Sequence, residues 1–356
     1  MTTRSITYDI QDLANVAASM DKELRDLRHK NLPLLDMCKE SGGVQYKDGG
    51  EQWFVSADMF EHSSSQSQAT GFEEVDLTHS VTERTFEFNP AWCTAPIVIM
   101  QRDKDKYGGS DAYWDFAQNK IKNVCNMQRR NWHLQSLTGA VTGMNEGGWA
   151  SLNGIDTGTA QTDGYLEHDA YGAQGNTVGG LDKGALSGVP GMNNRLQDLA
   201  GAVGTNGRRL IRLGINQVKN RVGEPEKLGF LATLECMGLL SQVVEPYMQY
   251  TVRDKPDIYG PEAYIMGHMV YQTDDLPTAG GNTSADPLSL LGLDLGAIFP
   301  CFVKGGKGGT DGYFGITDFR EIGGGHRGVV AFCDCNGQWM VRQFDSSIVF
   351  IDGQVF

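Results

Sequence analysis

The side chains in this sequence that could carry chemistry are acids, histidines and thiols, so their types and spacing come first. A glycine-rich segment, 143–207, contains a group of such residues, at Asp156, Asp163, Glu167, His168 and Asp169. Residues of these types can bind calcium or act as a catalytic acid pair. They lack the spacing of an EF-hand loop. We therefore interpret them as solvated loop acids, and a hydrolase that uses them is the alternative from a different functional class.

Two glycine-rich stretches are similar in composition to nucleotide-binding loops. The stretch 323–328, GGGHRG, has the spelling of a dinucleotide loop, but it precedes a predicted strand, whereas that loop must follow a strand and open a helix. In the stretch 304–310, KGGKGGT, no Ser or Thr follows Lys307 and no helix is predicted after the loop. No nucleophile elbow, HExxH helix or Walker lysine occurs, and the seven histidines form no partner pattern. The sequence therefore predicts no catalytic residue and no cofactor.

The cysteines are interpreted as structural. There are seven, mostly in apolar runs, at Cys38, Cys93, Cys125, Cys236, Cys301, Cys333 and Cys335. The odd number and the scatter predict buried free thiols in a reducing compartment. Cys333 and Cys335 share one face of a predicted strand, but only His326 is nearby, and zinc requires four ligands. We predict no metal site.

Composition limits the remaining functional classes. The chain has 356 residues, enough for one large or two ordinary domains. A formal charge of −14 argues against a general nucleic-acid binder, which needs clustered Lys and Arg, but not against a protein that encloses nucleic acid. No apolar run approaches the length of a membrane span, so no membrane partner is expected. The N-terminus lacks an apolar signal core, which predicts a cytosolic protein.

The elements around these residues favour a scaffold over a pocket. The segment 110–139 begins with a capping serine, carries acids early and bases late, and ends at a glycine. Its apolar stripe falls about four residues apart, at Ala117, Ile121, Val124, Cys125, Gln128 and Trp132. The pattern predicts one amphipathic helix of roughly 28 residues, about 40 Å long.

Two segments that precede this helix look like arms. A stripe of apolar residues in 7–30, which includes Leu13, Leu24 and Leu27, predicts a helix that is either packed normally or laid on a neighbouring subunit. Residues 43–90 alternate with period two around a polar tip, 62–71, and predict a long β-hairpin. Two-stranded arms are marginally stable alone. The hairpin therefore rests either on another molecule or on its own domain.

The rest of the chain is predicted as mixed helix and strand. The pattern predicts a buried strand in 85–100, a turn at 101–109, a helix at 208–223, a strand then a helix in 227–252, strands in 262–273, 288–304 and 312–322, and a closing strand in 347–356. Asn336-Gly337 predicts a two-residue hairpin between 329–335 and 338–344.

This order of parts resembles the major capsid protein of tailed bacteriophages, whose shell fold is shared with encapsulins. Local phrases at 24–43, 177–186 and 342–353 are similar too. The resemblance implies an α+β fold with an N-terminal arm at 1–40, an extended β-hairpin loop at 41–92, a peripheral domain at 93–145 with spine helix 110–139, an axial domain of mixed sheet and helices at 146–327, and return strands of the peripheral domain at 328–356.

The resemblance also implies a function. Such a protein self-assembles into pentamers and hexamers of an icosahedral shell that encloses phage double-stranded DNA without sequence-specific binding. Expected partners are copies of itself, a separate scaffolding protein, a portal and a decoration protein, and the expected location is the virion, assembled in the cytoplasm of the bacterial host. An encapsulin-type compartment and another virion structural protein are the alternatives from the same structural class.

Contact residues are expected on the arms and on the spine helix. Tyr46, Trp53 and Phe54 on the hairpin, with Leu13, Leu24 and Leu27 on the arm, are the candidate inter-subunit contacts, because aromatic residues dominate interface hot spots. The alternative is that these side chains pack on their own domain. Arg129 and Arg130, near His133, are the candidate DNA-facing residues. Lys47 lies at the base of the hairpin and does not support the covalent crosslink that some family members form.

Overall fold

A computed structural model describes the chain over a set of separate ranges: 33–58, 82–106, 110–138, 152–154, 166–167, 177–182, 185–186, 189–193, 195–199, 208–222, 227–233, 236–238, 262–265, 268–273, 276, 288–303, 315–322 and 328–351. Several sequence predictions lie outside them: the arm with Leu13, Leu24 and Leu27, the hairpin tip 62–71, the acids Asp156, Asp163 and Asp169 with His168, the side chain of Glu167, and most of the helix predicted within 227–252.

The first sheet is organised around one long strand, β17 (Gly328–Val341). Strand β4 (Ala91–Met100) pairs with it antiparallel over ten positions. Strands β14 (Ile298–Val303), β15 (Gly315–Ile316) and β16 (Arg320–Glu321) also pair antiparallel with β17. Strand β1 (Gln45–Lys47) joins β14 in parallel. Residues from both ends of the chain therefore meet in one sheet.

The predicted spine helix is confirmed as α3 (Ser110–Thr138, 29 residues). Its apolar stripe faces the first sheet: Ala117, Ile121 and Cys125 are buried in the core cluster that also contains the inward residues of β4 and β17. Trp132 stacks on Trp339 of β17 with ring centroids 6.0 Å apart. The helix thus covers one face of the sheet, as the period of its apolar residues requires.

The second sheet has the strand order β11, β12, β10, β13, β18, β9. These strands span Glu262–Ile265, His268–Gln272, Leu228–Ala232, Leu288–Asp294, Ile348–Ile351 and Arg195–Asp198 respectively. Helix α4 (Arg208–Lys219), predicted at 208–223, packs on β9 and β18. There are also two two-residue pairings among the described strands, β5 (Asn153–Gly154) beside β6 (Leu166–Glu167) and β7 (Thr177–Val178) beside β8 (Leu181–Asp182).

The two sheets are joined by packing and by the chain itself. Helix α1 (Pro33–Glu40) lies on β10 and β12, and Met37 sits so close to Gly229 that a Cβ there would lie 2.6 Å from its side chain. His133 of α3 lies 3.4 Å from the Thr273 hydroxyl at the end of β12. The chain passes from β13 in the second sheet to β14 in the first, and from β17 back to β18. Each sheet therefore contains strands from both sides of the boundary expected between residues 327 and 328, where the axial segment gives way to the return strands.

The hairpin predicted at Asn336-Gly337 is wrong. Both residues lie inside β17, where Asn336 is opposite Trp92 and Gly337 is opposite both Ala91 and Phe302. A type I′ turn requires positive φ at both central residues, and Gly337 is not among the described glycines with positive φ. Pairing on both edges of the strand outweighs the local preference of the dipeptide for a turn.

Three further local predictions need correction. The segment expected to be a turn at 101–109 contains a short helix, α2 (Gln101–Lys106), in which Asp103 accepts a hydrogen bond from the Met100 N–H. The strand expected in 85–100 is two strands, β3 (Glu83–Phe88) and β4. Tyr46 does not belong to the hairpin ladder, because β1 pairs with β14.

All seven thiols are free and buried, as predicted. Burial raises the pKa of Cys236 to about 12 and that of Cys301 to about 11. Thiolate is the reactive form. We therefore expect alkylation of the folded protein at neutral pH to be on the order of a hundredfold slower than that of the unfolded chain. Mass spectrometry after a timed iodoacetamide pulse, with and without denaturant, measures this, and a cysteine that reacts at the same rate in both samples contradicts the burial described here.

Asp36 of α1 makes stability depend on pH. Burial raises the pKa of Asp36 from 3.8 to about 6, against a smaller lowering by Lys39. An acid with a raised folded-state pKa binds its proton more tightly after folding, so its stabilising effect is complete below pH 3.8 and is lost as the pH rises through about 6. We expect Asp36→Asn to melt above the wild type near neutral pH, with a difference that shrinks as the pH falls toward 4. Melting curves across that range would contradict this if the difference stayed constant.

Candidate functional site

The base of the predicted hairpin is formed by β2 (Trp53–Asp58) and β3, which pair antiparallel from Trp53 opposite Phe88 to Asp58 opposite Glu83. Alternation along the two strands separates their faces. The inward face consists of buried apolar residues, namely Trp53, Val55, Phe86 and Phe88. This half of the hairpin is therefore anchored on its own subunit.

A tight turn fixes the hairpin base in place. Gly179 has φ +54°, a conformation that favours glycine, and its carbonyl accepts a hydrogen bond of 2.8 Å from the Glu87 N–H. A Cβ at this position would lie 3.0 to 3.1 Å from Phe86 and Phe88. Phe86 also meets Phe344 edge-on, with ring centroids 6.4 Å apart.

The three aromatic contact candidates of the hairpin differ in exposure. Phe54 is 53% exposed, on the outward face of β2. Trp53 is only 2% exposed and donates from Nε1 to the Gly49 carbonyl, 3.0 Å away. Tyr46 is half-buried, 6.5 Å from the ring of Phe302. Trp53 thus packs on its own domain, which leaves Phe54 as the hairpin aromatic that the folded subunit presents outward.

The second exposed apolar surface is the face of the first sheet opposite α3, defined here as the outer-face patch: Trp92, Pro96, Val98, Val330 and Phe332. On β4 and β17 the odd-numbered residues from 91 to 99 and from 329 to 335 are buried against α3, and the even-numbered ones point away from it. Trp92 is 66% exposed and Phe332 39%, and Pro96 lies opposite Phe332 in the ladder. Val98 and Val330, half-buried and opposite each other, extend the patch beyond Pro96 and Phe332, while Thr94 opposite Asp334 separates these four residues from Trp92.

These two surfaces hold three of the five large apolar side chains that are exposed among the described residues: Phe54, Trp92 and Phe332. A cluster of exposed aromatic and aliphatic residues marks a contact surface more often than a scatter of single residues does. The sequence does carry the signal for the patch, because strict alternation from Ala91 to Met100 leaves Trp92 on the wet face. The prediction of 85–100 as one buried strand does not separate this exposed face from the buried one.

The two arginines expected to face DNA separate in the structure. Arg130 is exposed on the outward side of α3, whereas Arg129 is 9% exposed. Burial raises the pKa of Asp36 and of Cys335, and the hydrogen bond with Cys125 raises the pKa of Cys333. The nearby charge of Arg129 lowers the pKa of all three groups by a smaller amount. Arg129 is therefore directed into its own subunit, and only Arg130 remains available to an outside partner.

Within the described ranges, no group of three or more histidine, cysteine or acidic side chains is placed to hold a metal ion. In the same part of the chain, no helix combines the length and the hydropathy needed to cross a membrane.

Comparison with known proteins found similarity in fold but not in sequence. No protein-family model and no curated protein sequence matches the chain. In contrast, its structure is similar to a chain of the Cyanophage A-1(L) capsid asymmetric unit, with a TM-score of 0.58 and 13% identity over 93% of this chain and 94% of that one. The chain has a phage capsid fold. The α+β architecture inferred from the order of its parts is thereby confirmed.

Weaker similarities were also found. A chain of the capsid of the empty GTA particle matches with a TM-score of 0.49 and 12% identity, over 87% of this chain and 94% of that one. The holo-SrpI encapsulin complex from Synechococcus elongatus PCC 7942 matches with a TM-score of 0.48 and 11% identity, over 92% and 89%. We assign the capsid fold from the cyanophage structure alone, since the other two fall below a TM-score of 0.5.

Proposed function

We propose that the chain is a major capsid protein, a structural protein without enzymatic activity that self-assembles into the pentamers and hexamers of an icosahedral shell around double-stranded phage DNA. One observation carries the proposal: a subunit with a phage capsid fold leaves Phe54, Trp92 and Phe332 exposed on its surface. A neighbouring copy of the chain is the occupant that a repeating shell supplies for such surfaces, because each subunit then offers the same patch to the next.

We propose that neighbouring subunits are held together by contacts from two segments, the hairpin base and the N-terminal arm. The inward face of the hairpin base is already buried on its own subunit, so the outward face with Phe54 is the part that can meet a neighbour. Leu13, Leu24 and Leu27 are proposed to contribute a second contact through the N-terminal arm. Many modest contacts, repeated around closed rings, hold a shell through multivalency.

The remaining partners follow from this role. A separate scaffolding protein, a portal and a decoration protein are proposed partners, the packaged DNA is held without sequence-specific contacts, and the proposed location is the virion after assembly in the host cytoplasm. Arg130 on the outward side of α3 is a proposed DNA-facing residue.

Electron microscopy tests the proposal directly. The protein is expressed alone and together with candidate scaffolding proteins, and the products are imaged in negative stain. Closed shells, or rings of five and six, are the expected result. A homogeneous monomer or dimer under every condition overturns the capsid role and turns attention to the hydrolase alternative, for which Asp156→Ala and Asp163→Ala are the decisive variants.

A further inference from the structure

Helix α4, which packs on the second sheet, is strongly amphipathic. Its inward residues Ile211, Ile215 and Val218 are buried, and Gly214 allows close packing, since a Cβ there would lie 2.8 Å from both Ile348 and Phe350 of β18. One side of the helix is therefore fully used in packing. The residues on the other side are exposed.

The outward side of α4 is basic and contains no acid. Its exposed residues, at helical spacing, are Arg209, Arg212, Leu213, Asn216, Gln217 and Asn220, with Lys219 and Arg221 exposed beside them. Five of the fifteen residues in 208–222 are Lys or Arg, and no Asp or Glu occurs from 199 to 223. In a chain with 44 acids and a net charge of −14, this is a local reversal of sign.

Among the described residues, most of this positive charge has no acidic partner. Arg221 forms an ion pair with Asp345. In the part of the chain that the structure describes, Arg209, Arg212 and Lys219 make no salt bridge. From Arg209 to Lys219 the helix extends about 15 Å, a distance that spans several phosphates of a DNA strand at about 3.4 Å each.

The outward side of the spine helix α3 carries fewer exposed bases than the outward side of α4. Its exposed stripe, at Asp115, Asn119, Asn123, Asn126, Met127 and Arg130, carries one acid and one base. Among the described helices, α4 thus offers the larger set of unneutralised cations, and clustered cations are what phosphate binding needs.

We propose that the outward side of α4, through Arg209, Arg212 and Lys219, contacts the phosphates of double-stranded DNA and so forms part of the inner surface of the shell. The inference rests on the proposed capsid function and names which face of the subunit meets the packaged polymer. Such contacts are independent of base sequence, because they read charge alone. They also relieve the repulsion that an acidic protein otherwise exerts on DNA.

Full-length subunits, before assembly, are titrated into a fluorescently labelled short duplex DNA, and anisotropy is recorded over a range of salt concentrations. The test variant is Arg209→Gln with Arg212→Gln. The matched control, Arg102→Gln with Arg320→Gln, removes the same charge from two arginines that are exposed outside α4. Arg209→Lys with Arg212→Lys keeps the charge, and circular dichroism melting verifies that each variant folds.

We expect the test variant to bind more weakly and to lower the slope of log K against log salt by about 2, since each lost phosphate contact removes about 0.9. The control and the lysine variant should keep the wild-type slope within about 0.5. Equal loss in the control, or no DNA binding by the wild type, overturns the inference. Binding of polyglutamate, but not DNA, through the same two arginines also overturns it, by pointing to an acidic protein partner.

Electron microscopy of the same variants separates this inference from the proposed function. Shells that still form from the test variant, combined with weakened DNA binding, support the assignment of α4 to the inner surface. A wild type that forms no shells removes the capsid role regardless of what the DNA titration shows.

Discussion

Trp92→Ala is expected to leave the subunit folded and to raise the concentration needed for shell assembly about thirtyfold or more. Trp92 is 66% exposed, so its removal creates no cavity and should change the free energy of unfolding by no more than about 0.5 kcal/mol. A buried aromatic anchor in an interface contributes about 2 kcal/mol or more, which corresponds to the thirtyfold change at each contact. Light scattering during assembly, read as a function of subunit concentration, measures the shift.

Two matched variants sharpen this result. Phe54→Ala and Phe332→Ala remove the other exposed aromatics of the same two surfaces, and both should weaken assembly in the same direction. Leu213→Ala removes an exposed apolar side chain from α4, outside these surfaces, and should assemble like the wild type. Normal assembly of Trp92→Ala at the wild-type concentration would show that the outer-face patch is not an interface.

Trp339→Ala is expected to have the opposite profile, a large loss of stability. Trp339 is fully buried where β17 meets α3, and its ring stacks on Trp132 at an interplanar angle of 18°. Its Nε1 donates to the Ser136 hydroxyl over 2.9 Å. Truncation of a buried tryptophan costs about 3–5 kcal/mol. The melting temperature should fall by about 5 °C if the chain unfolds in one transition.

The same substitution at Trp92 is the natural control, because the two tryptophans lie on adjacent strands of one sheet and differ mainly in burial. Trp339→Phe keeps most of the ring volume but loses part of the packing and the hydrogen bond to Ser136, so it should cost about 1–3 kcal/mol. Calorimetry or urea unfolding orders the three variants. A loss below about 1 kcal/mol for Trp339→Ala contradicts the packing of α3 on the first sheet described above.

Elements that are long and strongly periodic were predictable from the residues alone. The spine helix is found at 110–138 because its apolar stripe, its early acids and its capping serine all point to the same structure. The base of the hairpin follows from period-two alternation, and the resemblance of the ordered parts to phage capsid proteins anticipated the fold.

One cause of the misses is that local patterns do not report long-range pairing. Asn336-Gly337 favours a turn in isolation, but β4 on one side and β14 on the other hold it in an extended strand. Arg129 was expected to face DNA, yet it lies four residues after the buried Cys125 and so belongs to the inward stripe. That spacing was readable in the sequence. The sequence alone does not show which of the exposed faces meets a partner, because exposure depends on the whole sheet.

The pairing of β4 with β17 has a consequence for the timing of synthesis. The two strands are separated by more than two hundred residues, so Trp92 leaves the ribosome long before β17, the strand with which β4 pairs. At about 5–20 residues per second, the interval is roughly ten to fifty seconds. During that time a nascent chain has no finished outer face to offer. Under the proposed capsid function, only chains that are almost complete could join a shell through this face, and truncated translation products would be excluded from it.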